Sequence, residues 1–332
     1  MKQITNKIKV SVVVPAYNEE KFLPDCLMSL LKQDFDQKFE IIVVDNNSSD
    51  NTAKTAEDLG VKVVTEKRAG VCFARQAGTK AAHGDIIVST DADCTFPANW
   101  LANIYKSFQN NSELIAVIGS FQFTPKPKWG RVYSSLLFRT VKEVFARTGK
   151  IIYTPASNFG FKKESWQKIG GYNTALTQGG DENDLYKRIS KTGKTTYLFD
   201  NAVLTSSRRL GHGIVYSLFV SLIGYYILDY YVAARVTGKS ILGTYPACRE
   251  HYENRKRNWG IAISSFVITI LFTLLAGNIL LEAMPAKAEN SIRSHSGKAY
   301  SVVKSGTVKH LNPKKILKNK HFHKVKPQTL NG

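Results

Sequence analysis

The chain has 332 residues, 43% of them apolar, and its 46 Lys and Arg against 26 Asp and Glu give a net charge of +20. That length and apolar share provide ample core for one large domain with appendages or for two domains, and exclude global disorder. Nine of the twenty net positive charges lie in residues 282–332, where eleven Lys and Arg face two Glu. The excess suits a phosphorylated substrate or an anionic membrane surface better than nucleic acid, since no Cys/His finger or basic heptad region accompanies it.

Met1 to Lys9 is polar and basic but leads into only five or six apolar residues, too few for a signal-peptide core. Cys26, Cys72, Cys94 and Cys248 are far apart and form no C-x-x-C pair, the pattern of reduced thiols. Both features place the catalytic part in the cytoplasm.

Val10 to Val14 and Ile41 to Val44 are apolar runs that read as buried parallel strands. Between them Phe22, Leu23, Cys26, Leu27, Leu30 and Leu31 recur at helical spacing. Asp50-Asn51-Thr52 caps a helix through Leu59, with Ser48 as a second capping residue. Val61 to Val64 is a third strand, Val71 to Ala82 a helix closed by Gly84, and Ile86 to Thr90 a fourth strand. This alternation predicts a doubly wound, mostly parallel α/β sheet, whose ligands sit at the carboxyl ends of the strands. Asn99 to Phe108 follows as a helix with Trp100, Leu101, Ile104 and Phe108 on a core face, then a strand near Leu114 to Ile118. Residues 121–150 are less periodic, and Thr124 to Lys128, with two prolines, reads as an ordered loop.

Ile261 to Leu281 is uncharged for twenty-one residues, long enough to span a bilayer as a helix. Ile214 to Val232 is apolar but holds Asp229 and five tyrosines, and reads as an interfacial or membrane-associated helix. Two spans would place the basic stretch Arg235 to Arg257 outside, against the positive-inside rule.

Asp91-Ala92-Asp93 follows the fourth strand directly. Two carboxylates one residue apart at a strand end can hold Mg2+ or Mn2+, whose remaining positions take water and the oxygens of a nucleotide diphosphate. A helix cap or turn is the plainer reading of the pair alone.

Three segments change that balance: Val12 to Glu20 (VVVPAYNEE), Val43 to Thr52 (VVDNNSSDNT), and Asp91-Ala92-Asp93. In this order they resemble glycosyltransferase family 2, inverting enzymes of GT-A fold, over about residues 8–210. The resemblance implies a nucleotide-sugar donor, most often a UDP-sugar, held by Pro15, Ala16, Tyr17, Glu19, Asp45, Asn47, Arg68 and Asp91, with Asp93 and Asp91 on the metal. The residue chemistry agrees: Tyr17 offers a ring for a base, Glu19 can accept from a ribose hydroxyl, and Asp45 can accept from a nucleobase imide. Lys67, Arg68 and Arg75 either meet phosphate or are solvated charge beside a helix.

A second constellation, Ala156 to Phe161, Ile169 to Tyr172 and Gly179 to Leu185, resembles the acceptor half of the family, where an acidic pair opening a helix supplies the base. The family order is Glu-Asp; here it is Asp181-Glu182, so Glu182 takes the base position by register and Asp181 is its rival. An inverting transfer needs one base and no covalent intermediate. Arg208 and Arg209 are candidates for diphosphate or acceptor contact, or for lipid headgroups.

The expected organisation is therefore a GT-A domain at 1–210 (nucleotide half about 8–95, acceptor half about 96–210), a membrane-associated linker at 211–258, a transmembrane helix at 259–281 and a basic tail at 282–332. The expected activity is sugar transfer to a lipid-linked or polysaccharide acceptor at the cytoplasmic face of the cell membrane, with no nucleic acid partner. A non-catalytic nucleotide-sugar or lipid-binding protein of the same fold is the alternative. A dinucleotide dehydrogenase is disfavoured because Pro15 to Asn18 stands where G-x-G-x-x-G is required.

Overall fold

The computed structural model describes residues 7–124, 128–176, 181–208 and 210, with isolated positions 223, 263 and 267. These lie in the first of two compact units, Met1–Val267. Apart from the isolated positions, the linker, the expected transmembrane helix and the tail lie outside the described residues. Among the described residues no helix is long and apolar enough to cross a membrane.

The first half alternates as expected: β1 (Val10–Ala16), α1 (Leu23–Leu31), β2 (Phe39–Asp45), α2 (Thr52–Asp58), β3 (Lys62–Thr65), α3 (Val71–Ala81) and β4 (Ile86–Ser89). Val10, Val12, Val13 and Val14 are all fully buried, so β1 is covered on both faces, which is why its run does not alternate. Glycine sets the spacing of α3 on the sheet: a Cβ at Gly78 would lie 2.4 Å from Val13 Cγ1 and 2.7 Å from Val44 Cγ2. The second half is β5 (Cys94–Thr95), α4 (Trp100–Asn110), β6 (Leu114–Phe123), α5 (Lys128–Thr148), β7 (Phe159–Lys162), α6 (Lys163–Lys168), α7 (Asp181–Ile189) and β8 (Lys194–Thr205).

All eight strands form one sheet, in the order β3-β2-β1-β4-β7-β6-β8-β5. The pairs β1/β2, β1/β4, β2/β3 and β6/β8 are parallel, whereas β7 runs antiparallel to β4 and β6, and β5 antiparallel to β8. The sheet is thus mixed but mostly parallel, as expected: β7 and β5 alone among these strands run against the other six. An apolar run shows that a strand is buried but not which way it points. Residues 128–148, expected as irregular, form the 21-residue helix α5, and the loop ends before Lys128.

Candidate active site

Parallel β1, β2 and β4 end together, and their following loops meet there. Ala16 pairs with Asp45 at the end of β1 and β2. The two loops are cross-tied: Asn18 N–H donates to Ser48 Oγ (2.9 Å), Ser49 N–H to Asn18 Oδ1 (2.7 Å) and Glu19 N–H to Thr52 Oγ1 (2.7 Å). Asn18 and Asn47 adopt positive φ, 51° and 63°, which Asn tolerates better than most residues. Ser48, expected to cap α2, instead accepts from Asn18. Asp50 does the capping, accepting from Thr52 N–H and Oγ1.

Asp45 is buried, and among the described residues its Oδ1 has no hydrogen-bond partner. Tyr17, which follows Ala16 at the end of β1, stands 52% exposed on the rim. Asn46 pins the facing loop, donating to the carbonyls of Glu66 and Arg68 and accepting from Gly70 N–H. Arg68 itself lies outward and pairs with Glu66, whose carboxyl it pulls down to about 2 through their hydrogen bonds. The structure therefore places Arg68 on the rim rather than in the cleft.

At the end of β4, Asp91, Asp93 and Cys94 bring one ligand atom each within 4.8 Å of one another. Carboxylates suit a hard divalent cation; the third member does not. Burial, reinforced by Asp93 and Asp91, pushes the Cys94 thiol well above its ordinary range, so it stays protonated. The donor set that fits Mg2+ or Mn2+ is Asp91 and Asp93.

Both carboxylates already face guanidinium groups. Arg208 forks onto Glu19, with Nη1 2.8 Å from Oε2 and Nη2 2.7 Å from Oε1, and the same Nη2 lies 3.1 Å from Asp93 Oδ2. Its guanidinium also stacks over Phe22, 4.9 Å from the ring centre. Glu19, expected on a ribose, is thus held by Arg208, and Arg208, a candidate for diphosphate, acceptor or lipid contact, lies beside the metal-side carboxylate Asp93. Arg209 lies outside the described residues.

Arg75, expected beside the donor phosphates or in solvent, instead faces carboxylates. It is 2% exposed, with Nη2 2.7 Å from Asp91 Oδ1 and Nε 3.0 Å from both Asp181 Oδ2 and Glu182 Oε1. The Nε contacts are not aligned as hydrogen bonds and act as charge contacts. Its Nη1 donates to Ser89 Oγ (2.5 Å) and the Thr90 carbonyl (3.2 Å). It is therefore neither a solvated charge nor a phosphate ligand. A signal for this was present: Cys72, Arg75, Gly78 and Thr79 share one helical face, and all four are buried. Burial alone lowers the Arg75 pKa, but the charges of Glu182, Asp91 and Asp181 outweigh it and raise it well above its ordinary value.

Asp181 and Glu182 open α7, as expected, and are 3% and 5% exposed. Burial first, then the charge of Asp181, raises the Glu182 carboxyl well above the usual range. Asp184 points elsewhere: it binds Arg188, which also donates to the carbonyls of Ile169 and Gly171. Gly170 and Gly171 have φ of 78° and 81°, and a Cβ at Gly171 would strike Gln76 at 2.5 Å. Glycine there lets the turn close on α3, where Gln76 accepts from Tyr172 N–H. Asn158 ties strands and helix together, since its side chain accepts from Trp100 Nε1 and donates to the carbonyls of Ser120 and Asn201.

A family profile described as Glycosyl transferase family 2 matches residues 11–170. Undecaprenyl-phosphate 4-deoxy-4-formamido-L-arabinose transferase of Proteus mirabilis is 30% identical over 142 residues, 40% of this chain and 43% of that protein. Poly(ribitol-phosphate) beta-N-acetylglucosaminyltransferase TarS of Staphylococcus aureus is 30% identical over 187 residues, 54% of this chain and 29% of that protein. The chain thus matches less than half the length of either relative. A TarS structure in complex with UDP-GlcNAc superposes with a TM-score of 0.51 at 23% identity, covering 60% of this chain and 58% of that one. A mannosyltransferase of Pyrobaculum calidifontis in complex with GDP-Man and Mn2+ gives 0.54 at 20% identity, covering 92% and 90%. The sheet is that of the GT-A glycosyltransferases, and residues 11–170, which hold the donor-side motifs, carry a glycosyl transferase family 2 domain.

Proposed function

We propose that this protein transfers a sugar from a nucleotide-sugar, with inversion, to a lipid-linked or polysaccharide acceptor at the cytoplasmic face of the cell membrane. The observation that carries the reading is the convergence on Arg75 of a metal-side carboxylate, Asp91, and the buried pair Asp181 and Glu182. One guanidinium thereby fixes the distance between the donor side and the base.

On the donor side, the unpartnered Asp45 Oδ1 supplies the acceptor that a nucleobase imide requires, and Tyr17 offers a ring to stack on the base. Uracil satisfies this, so a UDP-sugar is the first candidate. TarS, whose structure carries UDP-GlcNAc, supports that choice, and the GDP-Man complex keeps guanine as the competitor. Asp91 and Asp93 would hold Mg2+ or Mn2+, which neutralises the charge developing on the leaving nucleotide diphosphate. Arg208, forked onto Glu19, lies 3.1 Å from Asp93 and adds its positive charge at the same place.

On the acceptor side, Asp181 and Glu182 act as one titrating unit. Loss of the proton that the pair shares frees it to take one from the acceptor hydroxyl. No covalent step on the protein is needed. The name of the Proteus relative supports a polyprenyl phosphate acceptor, and the charge of +20 suits an anionic surface. The donor half is assigned to residues 8–95 and the acceptor half to 96–210, with anchoring by 259–281.

The test is nucleotide release by detergent-purified full chain from UDP-, GDP- and dTDP-sugars, with Mn2+ or Mg2+ and a membrane lipid extract. Turnover of one donor, lost in Asp93→Ala and in Glu182→Gln, supports the reading. A donor that binds without turnover points to a non-catalytic sugar-nucleotide binder, and unchanged turnover in both variants removes the assigned roles.

A further inference from the structure

Helix α5 is buried along Gly130, Ser134, Phe138 and Val141, with Phe138 against Phe121 of β6 at 5.0 Å between ring centres. A helix packed on one side normally turns polar residues outward. Here Val132 and Leu136 are each 59% exposed, the most exposed large apolar side chains of the sheet domain. Trp129 is half-buried and precedes them at the i, i+3, i+7 spacing that forms one stripe. Lys128, Arg131 and Arg139 are exposed around the stripe, and among the described residues none of the three has a carboxylate partner. The two other basic side chains of α5 are engaged: Arg147 pairs with Glu143, and Lys142 lies over the Phe199 ring.

A tryptophan and two aliphatic residues framed by these cations match the chemistry of a helix lying in a lipid headgroup layer. The course of the chain points the same way. Leu210 packs against Gly130, where its Cδ1 would lie 2.5 Å from an added Cβ, so the chain leaves the sheet domain beside the start of α5. The next residues carry the apolar stretch Ile214 to Val232, and later the uncharged Ile261 to Leu281. In sequence, therefore, the stretches suited to a bilayer follow a residue seated beside the N-terminal end of α5.

We propose that the outward face of α5, centred on Trp129, Val132 and Leu136 and flanked by Lys128, Arg131 and Arg139, docks on an anionic bilayer. The docking rests on the proposed membrane placement and not on the transfer chemistry. Each basic residue near such a surface strengthens attachment about fivefold, so the three together contribute about a hundredfold.

The experiment uses the full chain with Cys248→Ser; Cys26, Cys72 and Cys94 are free but buried, so an added cysteine takes the label selectively. A fluorophore is placed at Leu136→Cys or, as a control, at Asp58→Cys on the exposed end of α2. Vesicles of phosphatidylcholine, with or without phosphatidylglycerol, carry a nitroxide quencher on the acyl chains, and flotation reports whether the chain is bound. The position-136 label is expected to be quenched at least about twofold more in the anionic vesicles, and the position-58 label in neither. Arg131→Gln with Arg139→Gln is expected to remove most of that difference. A chain that floats while the position-136 label stays unquenched overturns α5 docking and leaves the membrane placement standing. If that label is shielded from water yet unquenched, the face is covered by protein, with residues 214–232 the first suspect, and docking is again overturned. Equal quenching in both vesicle types removes the role of the cations, and a chain that does not float removes the membrane placement itself.

Discussion

Arg75 shows how much of the site depends on one side chain. It is 2% exposed and faces Asp91, Asp181 and Glu182, so its loss leaves buried carboxylates without their cation. Breaking a buried pair by removing one partner costs about 3–5 kcal/mol, because the remaining charge stays desolvated. Arg75→Met is expected to lower stability by that amount in denaturant melts, with Arg75→Lys intermediate, since an ammonium reproduces the charge but not the fork. The Glu182 carboxyl titrates well above its ordinary value near 4.5 because of burial and then Asp181. The folded state therefore binds more protons than the unfolded state once pH exceeds that value, and stability falls as pH rises toward the folded pKa. Glu182→Gln mimics the protonated form, so its stability is expected to lack this decline while its turnover drops. Melts of both proteins from about pH 5 to 9 check the sign: the Gln variant should gain on the parent as pH rises.

At the scale of elements, what the sequence made legible follows burial geometry. β1, β2 and β4 stood out because both their faces are covered, and α4 because Trp100, Leu101, Ile104 and Phe108 lie on one buried stripe. Shortening that stripe has a calculable cost: Ile104→Ala, a fully buried truncation beside Gly160, should cost about 2–5 kcal/mol. A denaturation midpoint shifted by less would mean the site collapses around the gap. Helix α5 escaped detection because its apolar residues occupy two faces, the core face and the outward stripe of Val132 and Leu136, which blurs the 3.6-residue period. The orientation of β7 escaped because antiparallel pairing leaves no mark on a run as short as Phe159–Lys162. In the site, Asp45, Asp91 and Asp93 were legible at strand ends once the family-like segments stood beside them, and Asp181 and Glu182 through the resemblance of the second constellation. The wiring by Arg75 and Arg208 was not, since each meets carboxylates far away in sequence: 16, 106 and 107 positions for Arg75, and 189 for Arg208 with Glu19.

The whole molecule carries a strong positive charge, yet its site gathers five carboxylates, Glu19, Asp91, Asp93, Asp181 and Glu182, against two guanidinium groups. Because Arg75 faces Asp91 and Arg208 faces Asp93, each metal-side carboxylate already has a cationic neighbour, and the fold is expected to stand without a divalent cation. Metal removal should therefore separate activity from stability. Chelation is expected to abolish turnover, restored by Mn2+, while the melting temperature moves by no more than about 1 °C, well below what a ligand at saturating excess produces. A nucleotide diphosphate added with Mn2+ should behave differently. At roughly a hundredfold excess over its dissociation constant it stabilises the folded state by about 2.7 kcal/mol, which for a domain of this size corresponds to about 5–10 °C. Thermal melts with EDTA, with Mn2+ alone, and with Mn2+ plus UDP or GDP distinguish the cases, and the nucleotide giving the larger shift identifies the base that Asp45 accepts. A large shift with Mn2+ alone would mean that the ion, rather than Arg75 and Arg208, compensates the acidic cluster in the resting protein.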